Sequence, residues 1–201
     1  AFFEAHIEQG PILEAEEKTI GIVQGVQGIR VFHVNVTGME SHAGTTPMER
    51  RKDALVGAAE LITEVNRIAM DNLPDSRSTV GMMAVSPNSR AVIPGSVFFT
   101  VDLRHPDHAR LEALTGEARE AARKIAAAGK LEISFEEIWY SPPVRFADKC
   151  VGAVRRATEA LGLASRPITS GAGHDAVYVS RVAPTGMIFI PCEDGISHNE
   201  I

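Results

Sequence analysis

Seven histidines are spread over the 201 residues, and four have neighbours that could make them chemical. His6 lies in FFEAHIEQGPILE, close to Glu8 and Gln9, with a Gly10-Pro11 stop directly after. His198 lies in DGISHNE, shortly after an apolar run. Both are placed at strand ends, where α/β sheets build their sites, and imidazoles from distant positions can share a divalent cation. The plain alternative is two surface histidines, because no HExxH-type spacing fixes a geometry. His174, in GAGHDA, has glycines that let backbone approach a ligand and an aspartate beside it. A loop that opens a helix accounts for the same residues. His42, in SHAGTTP, precedes a helix start, a good place to meet a carboxylate or an oxyanion. A loop histidine is the competing account. Arg104 shares a strand face with Asp102, either as a simple ion pair or as a fork for a substrate carboxylate. His33 reads as structural, and His105 and His108 as solvated residues bordering a helix.

The elements that must position these residues follow from hydrophobic period. Residues 1–9 alternate as a strand, with Phe3, Ala5 and Ile7 on one face and Glu4, His6 and Glu8 on the other. Ile29 to Thr37 and Ser96 to Leu103 read as strands, the second with Val97, Phe99, Val101 and Leu103 inward. Thr79 to Val85 and Leu131 to Tyr140 are two more. A helix with apolar residues at Leu55, Ala58, Ala59, Ile62, Val65 and Ala69 is expected, opened by a capping box at Thr46, Pro47 and Glu49. A second helix runs from the HPD stretch to about Ala128, with Gly129 as its stop. After residue 140 the pattern changes to a helix from Ala147 to Leu161 and short apolar strands around Arg166 to Thr169 and Pro184 to Pro191, which is α/β grammar. The architecture is therefore nested. An α+β domain with an antiparallel sheet and two helices on one face, residues 24–140, is inserted between two parts of an α/β domain, residues 1–23 and 141–201.

Bulk properties exclude some classes. A net charge of −6 argues against nucleic acid, which wants a basic face, and no apolar run is long enough to span a bilayer. Cys150 and Cys192 are too few and too scattered for a disulfide framework, which points to a reducing, cytoplasmic setting. Walker, GxGxxG and GxSxG motifs do not occur.

Taken in order, HIEQGPILE, SHAGTTPMERRKDAL, VIPGSVFFTVDLRHPD, SGAGHDA and DGISHNE resemble the hydantoinase/carbamoylase amidases along essentially the whole chain. That group holds N-carbamoyl-L-amino-acid hydrolases, allantoate amidohydrolases and β-ureidopropionases, relatives of the di-metal aminoacylases and dipeptidases. The resemblance implies an α/β catalytic domain with two divalent metals (zinc, manganese, cobalt or nickel) and an inserted α+β lid that makes a homodimer. It implies that His6 ligates one metal and His198 the other, and that Gln9, Arg104 and His174 contact a carbamoyl or ureido amino acid, Arg104 through its carboxylate. His42 would reach into the partner subunit's site and steady the tetrahedral oxyanion. The remaining metal ligands and the catalytic glutamate of the family lie upstream of HIEQGP, so weak or absent metal binding and no turnover are expected of this chain alone. One position departs from the pattern: Ala91 stands where the family has an asparagine that grips the substrate carboxylate, with Asn88 and Arg90 as the polar neighbours. An aminoacylase or dipeptidase of the same superfamily is the alternative enzyme, and a module that only dimerises is the alternative of another class.

Overall fold

A computed structural model describes residues 1–197 and 199. The chain opens with strand β1 (Phe2–Ile7), short helix α1 (Ile12–Ala15) and strand β2 (Ile20–Val26). It continues through β3 (Gly28–Thr37), β4 (Ser41–His42), helix α2 (Ala54–Met70), β5 (Arg77–Thr79), β6 (Met83–Ser86), β7 (Val92–Ile93), β8 (Ser96–His105), helix α3 (His108–Gly129) and β9 (Glu132–Ser141). It closes with β10 (Val144–Arg145), α4 (Asp148–Ala160), β11 (Ser165–Ser170), α5 (Asp175–Val179) and β12 (Thr185–Ile190). Two compact units result: Ala1–Gln27 with Pro143–Ile201, and Gly28–Pro142 between them. The sequence boundaries at 24 and 140 fall inside strands. Gly25 and Val26 pair with Arg145 and Val144, which keeps them in the first unit, and Ser141 pairs with Ile29 in the inserted one.

The inserted unit is an antiparallel sheet in the order β5-β8-β3-β9, with β6 also paired to β8. Strict alternation along β8 puts Val97, Phe99, Val101 and Leu103 at 0% exposure, facing Phe32, Val34 and Val36 of β3 in one core. Leu61, Val65 and Ile68 of α2 and Leu111, Leu114 and Ala118 of α3 complete that core. Each such large side chain contributes about 1.5–3 kcal/mol by leaving water. Helix α2 starts seven residues later than the Thr46 box suggests, at Ala54 rather than Pro47. Asp53 is its N-cap, accepting from the amides of Leu55 and Val56, and Met48–Arg50 forms a single 3-10 turn. Helix α3 ends through Lys130 in left-handed backbone (φ 53°) rather than through Gly129. The strand expected over 79–85 is two short strands, β5 and β6, each paired to β8.

The first unit is built on β2, a strand that hydrophobic alternation does not reveal. Its sequence IGIVQGV is buried on both faces, because it pairs with β12 and β10 on antiparallel ladders and with β11 on a parallel one. Gly25 is required by the crossing with β10: a Cβ there would lie 2.1 Å from the Val144 carbonyl oxygen. Strand β1 runs parallel to β12 along the outside of this sheet. Its faces are inverted relative to a simple reading. Phe3 is 46% exposed, whereas Glu4 and His6 are half-buried and Phe2 packs on the core. Helix α4 packs on β2 and β12, and α5 on β1 and β12. Among the described residues, no helix is long and apolar enough to cross a membrane.

Candidate functional site

Strand alternation puts Glu4 and His6 on the same face of β1, and the loop between β11 and α5 brings His174 over them. Ligand atoms of Glu4, His6 and His174 all lie within 4.8 Å of one another, and they are the residues that form such a group among those described. The His6 and His174 rings meet edge to face at 4.7 Å, and Phe189 backs His174 at 5.6 Å. His6 Nδ1 donates to the Ile7 carbonyl at 2.8 Å. A carbonyl only accepts, so the ring proton sits on Nδ1 and the Nε2 lone pair is presented to a ligand, the usual arrangement of a metal-binding histidine.

His174 is held from behind. Its Nε2 bonds Ser170 Oγ at 2.8 Å, and Ser170 also takes the Ala172 amide at 3.1 Å. Its side chain is 2% exposed. Burial first, and His6 second, push its pKa below the ordinary imidazole value, against the opposing pull of Glu4 and Asp175. The 3.7 Å contact between its Nδ1 and Glu4 Oε1 is therefore made by a neutral ring, and it is too long for a hydrogen bond. The carboxylate of Glu4 and the two imidazoles form a group of N/O side chains that would suit a divalent cation. Glu4 is fixed through its other oxygen, which accepts from the Ala176 amide at 2.7 Å. This mixed N/O donor set suits zinc, manganese, cobalt or nickel. Sequence reasoning placed Glu4 on the His6 face without giving it a role; the i, i+2 spacing was the signal available.

Other residues of the HIEQGP stretch go elsewhere. Glu8 is buried and turned away from His6, accepting from the amides of Ile12 at 3.0 Å and Leu13 at 2.7 Å, so it caps α1. Gln9 occupies left-handed backbone (φ 57°) at the turn that makes this reversal. The segment after β12 docks on that turn: Asp194 N donates to Glu14 Oε2 at 2.8 Å and Cys192 Sγ to the Gly10 carbonyl at 3.8 Å. Gly195 (φ +67°) makes the approach possible, since a Cβ would sit 2.7 Å from Gly10 C and Pro11 N. His198 lies outside the described residues.

In the inserted unit, His42 ends β4, which pairs with β7. Its exposed ring accepts two amides at Nδ1, from Gly44 at 3.0 Å and Thr45 at 3.2 Å. Ala91 lies on the adjoining segment, its carbonyl accepting from Ala43 N at 2.9 Å. Arg104 is gripped by Asp102 through Nε at 2.8 Å and Nη2 at 2.7 Å, and this carboxylate raises the guanidinium pKa against the effect of burial. His105, expected to be solvated, is 8% exposed, with Nδ1 accepting the Asp107 amide at 2.9 Å. His108 bonds Tyr140, and His33 stacks on Phe98.

The sequence pattern of peptidase family M20/M25/M40 matches residues 1–201. The chain is 46% identical over 200 residues to an N-carbamoyl-L-amino-acid amidohydrolase of Rhizobium meliloti, covering 100% of this chain and 48% of the relative. It is 35% identical to the allantoate amidohydrolase of Bacillus subtilis, covering 99% of this chain and 48% of that protein. A crystal structure of an amidase of the hydantoinase/carbamoylase family from Burkholderia multivorans superposes with a TM-score of 0.96 at 57% identity, over 98% of this chain and 48% of that one. The chain thus spans about half the length of the curated relatives it matches. With the whole chain matched by the family pattern, the protein belongs to peptidase family M20/M25/M40.

Proposed function

We propose that the whole protein is a metal-dependent amidohydrolase cleaving the linear C–N bond of an N-carbamoyl or ureido amino acid. One observation carries this reading: Glu4 and His174 bring their N/O atoms within 4.8 Å of those of His6, the histidine of the HIEQGP stretch. Its closest support outside the site is the name of the Rhizobium meliloti relative. Two divalent cations per subunit are proposed for the intact enzyme, with His6 and Glu4 as donors to one and His198 as a donor to the other. When bound, such cations supply polarisation of the scissile carbonyl and a water of lowered pKa.

The chain's own residues supply positioning. The Ile7 carbonyl fixes the His6 ring, and His174, clamped by Ser170, packs against it. The buried His174 side chain favours a supporting role behind His6 over the substrate contact that the resemblance implies. Gln9 and Arg104 bind the small-molecule substrate, Arg104 taking its carboxylate with a plane already set by Asp102. His42 donates from Nε2 to the oxyanion in the partner's site of a homodimer made through residues 28–142, the kind of preorganised donor that hydrolysis of a carbonyl needs. The free Cys150 and Cys192 suit a cytoplasmic enzyme.

The test is a substrate panel on the full-length, metal-loaded protein. N-carbamoyl or ureido amino acids should be turned over in preference to N-acyl amino acids and dipeptides. A preference for either of the latter would move the protein to the aminoacylase or dipeptidase side. A strict monomer in sedimentation at high concentration would remove the shared oxyanion donor.

A further inference from the structure

We propose that Arg51 is a positioning residue that sets the orientation and the tautomer of His42. This deepens the reading in which His42 steadies the oxyanion, and rests on it. Arg51 lies at the far end of the loop that His42 begins, and its side chain folds back across that loop. Nη2 donates to the Ala43 carbonyl at 2.8 Å and Nε to the Thr46 carbonyl at 3.1 Å. These two carbonyls flank the amides of Gly44 and Thr45, which are the donors to His42 Nδ1.

The link is covalent geometry. The Ala43 carbonyl and the Gly44 N–H belong to one trans peptide plane and point in opposite directions. Pinning the carbonyl on the guanidinium therefore aims the N–H away from Arg51 and at the imidazole. A charge-assisted bond to the carbonyl also polarises the same peptide unit and strengthens its N–H as a donor. The second guanidinium bond closes the loop at Thr46, whose own amide donates to the His42 carbonyl at 3.2 Å. Backbone at both ends is held independently: Ala43 N bonds the Ala91 carbonyl at 2.9 Å, and Met39 N the Lys52 carbonyl at 2.9 Å.

The consequence falls on one proton. With two amides donating to Nδ1, that nitrogen is an acceptor, and the ring proton is on Nε2. His42 thus presents an N–H outward, the group an oxyanion requires, where a ring of the other tautomer would present a lone pair. His6 has the reverse assignment, with its proton on Nδ1 toward Ile7. The two histidines are set by backbone contacts for opposite work, one to give electrons and one to give a hydrogen bond. Gly44 lets its amide come this close, since a Cβ there would lie 3.3 Å from His42 Cε1.

The experiment has two arms. In the 201-residue chain, long-range ¹H–¹⁵N spectra of the imidazoles, with H42Q used to assign the His42 signals, read the tautomer, and amide exchange reads Gly44 and Thr45. The native chain should show Nε2 protonated, and R51A should lose about tenfold in exchange protection at both amides and show mixed tautomers. In the full-length enzyme, H42Q should lower kcat by about 10²–10³-fold, as removal of an oxyanion donor does. R51A should lower kcat by about 10- to 100-fold through misplacement with KM little changed, and R51A/H42Q should be no slower than H42Q. Where R51A does not fold, R51K, which reaches one carbonyl, should fall between native and H42Q. Unchanged exchange and tautomer in these variants, or losses that add in the double variant, overturn the role of Arg51. A normal kcat in H42Q overturns instead the role of His42, and the spectroscopic arm still decides on Arg51.

Discussion

Glu4 should be separable into a structural and a metal-binding function. Its Oε2 accepts the Ala176 amide at 2.7 Å, in a side chain 18% exposed, while Oε1 faces His174. Glu4→Ala removes the acceptor and leaves that N–H without it, a loss of about 1–3 kcal/mol. Glu4→Gln keeps an amide oxygen for Ala176 and exchanges a charge-assisted bond for a neutral one, a loss of about 1 kcal/mol. At about 2–4 °C per kcal/mol for a domain of this size class, melting in the presence of a chelator should rank native, then Gln, then Ala. Cobalt binding should rank differently. Both variants lack the carboxylate, so both should bind cobalt(II) at least about tenfold more weakly than native, by an equal amount. Calorimetric titration and the visible absorption of cobalt measure this on the same samples. Native cobalt affinity in Glu4→Gln would remove Glu4 from the donor set, and equal melting of all three proteins would refute the bond to Ala176.

Asp53→Ala should cost about 1 kcal/mol in chemical denaturation through loss of the α2 cap, whereas Thr46→Ala should lie within about 0.5 kcal/mol of native; the reverse ranking would restore the Thr46 box. His174 has its pKa lowered by burial and by His6. Its contribution to stability is thus fully present above the unfolded value of about 6.5 and is lost as pH falls from there toward the folded pKa. Melting of the metal-free chain should drop on acidification through this window, and His174→Gln should flatten the slope; an unchanged slope would mean another group titrates. In the full-length enzyme, Ala91→Asn should raise kcat/KM for substrates with an α-carboxylate by about tenfold or more, the worth of a hydrogen bond to a charged group, with no gain on an analogue lacking that carboxylate.

Strands with one wet face were legible. Along β8 the alternation of Val97, Phe99, Val101 and Leu103 with Phe98, Thr100, Asp102 and Arg104 gave both the element and the core. Strand β2 was not legible, because a strand paired on both edges and covered on both faces has no period to display, and Gly21 and Gly25 look like breaks. Thr46 misled because its box is local, while the true cap, Asp53, is chosen by where α2 meets the sheet core. His6 stood out by its motif. That Glu4 joins it could not be read, since period 2 says which residues share a face and not what descends on it; His174 arrives from a loop 168 residues away in the chain, counted from position 6 to 174. Glu8 was misplaced because alternation was carried one residue past Ile7, where Gln9 turns the backbone. His105 was misjudged because a polar type at a strand end suggests water, whereas the amide of Asp107 satisfies it internally.

The pairing of Val26 with Val144, and of Ile29 with Ser141, means that the polypeptide leaves the first sheet and re-enters it at neighbouring points. The entropic penalty of closing such a gap changes little with the length of the excursion, about 0.6 kcal/mol for each doubling, since it grows only with the logarithm of contour. The host fold should thereby depend only weakly on the length of what is spliced in at this junction. A short turn joining Gln27 to Pro143 should leave the β1-β12-β2 sheet able to form, and a foreign module with adjacent termini should be accepted there as readily as the present one.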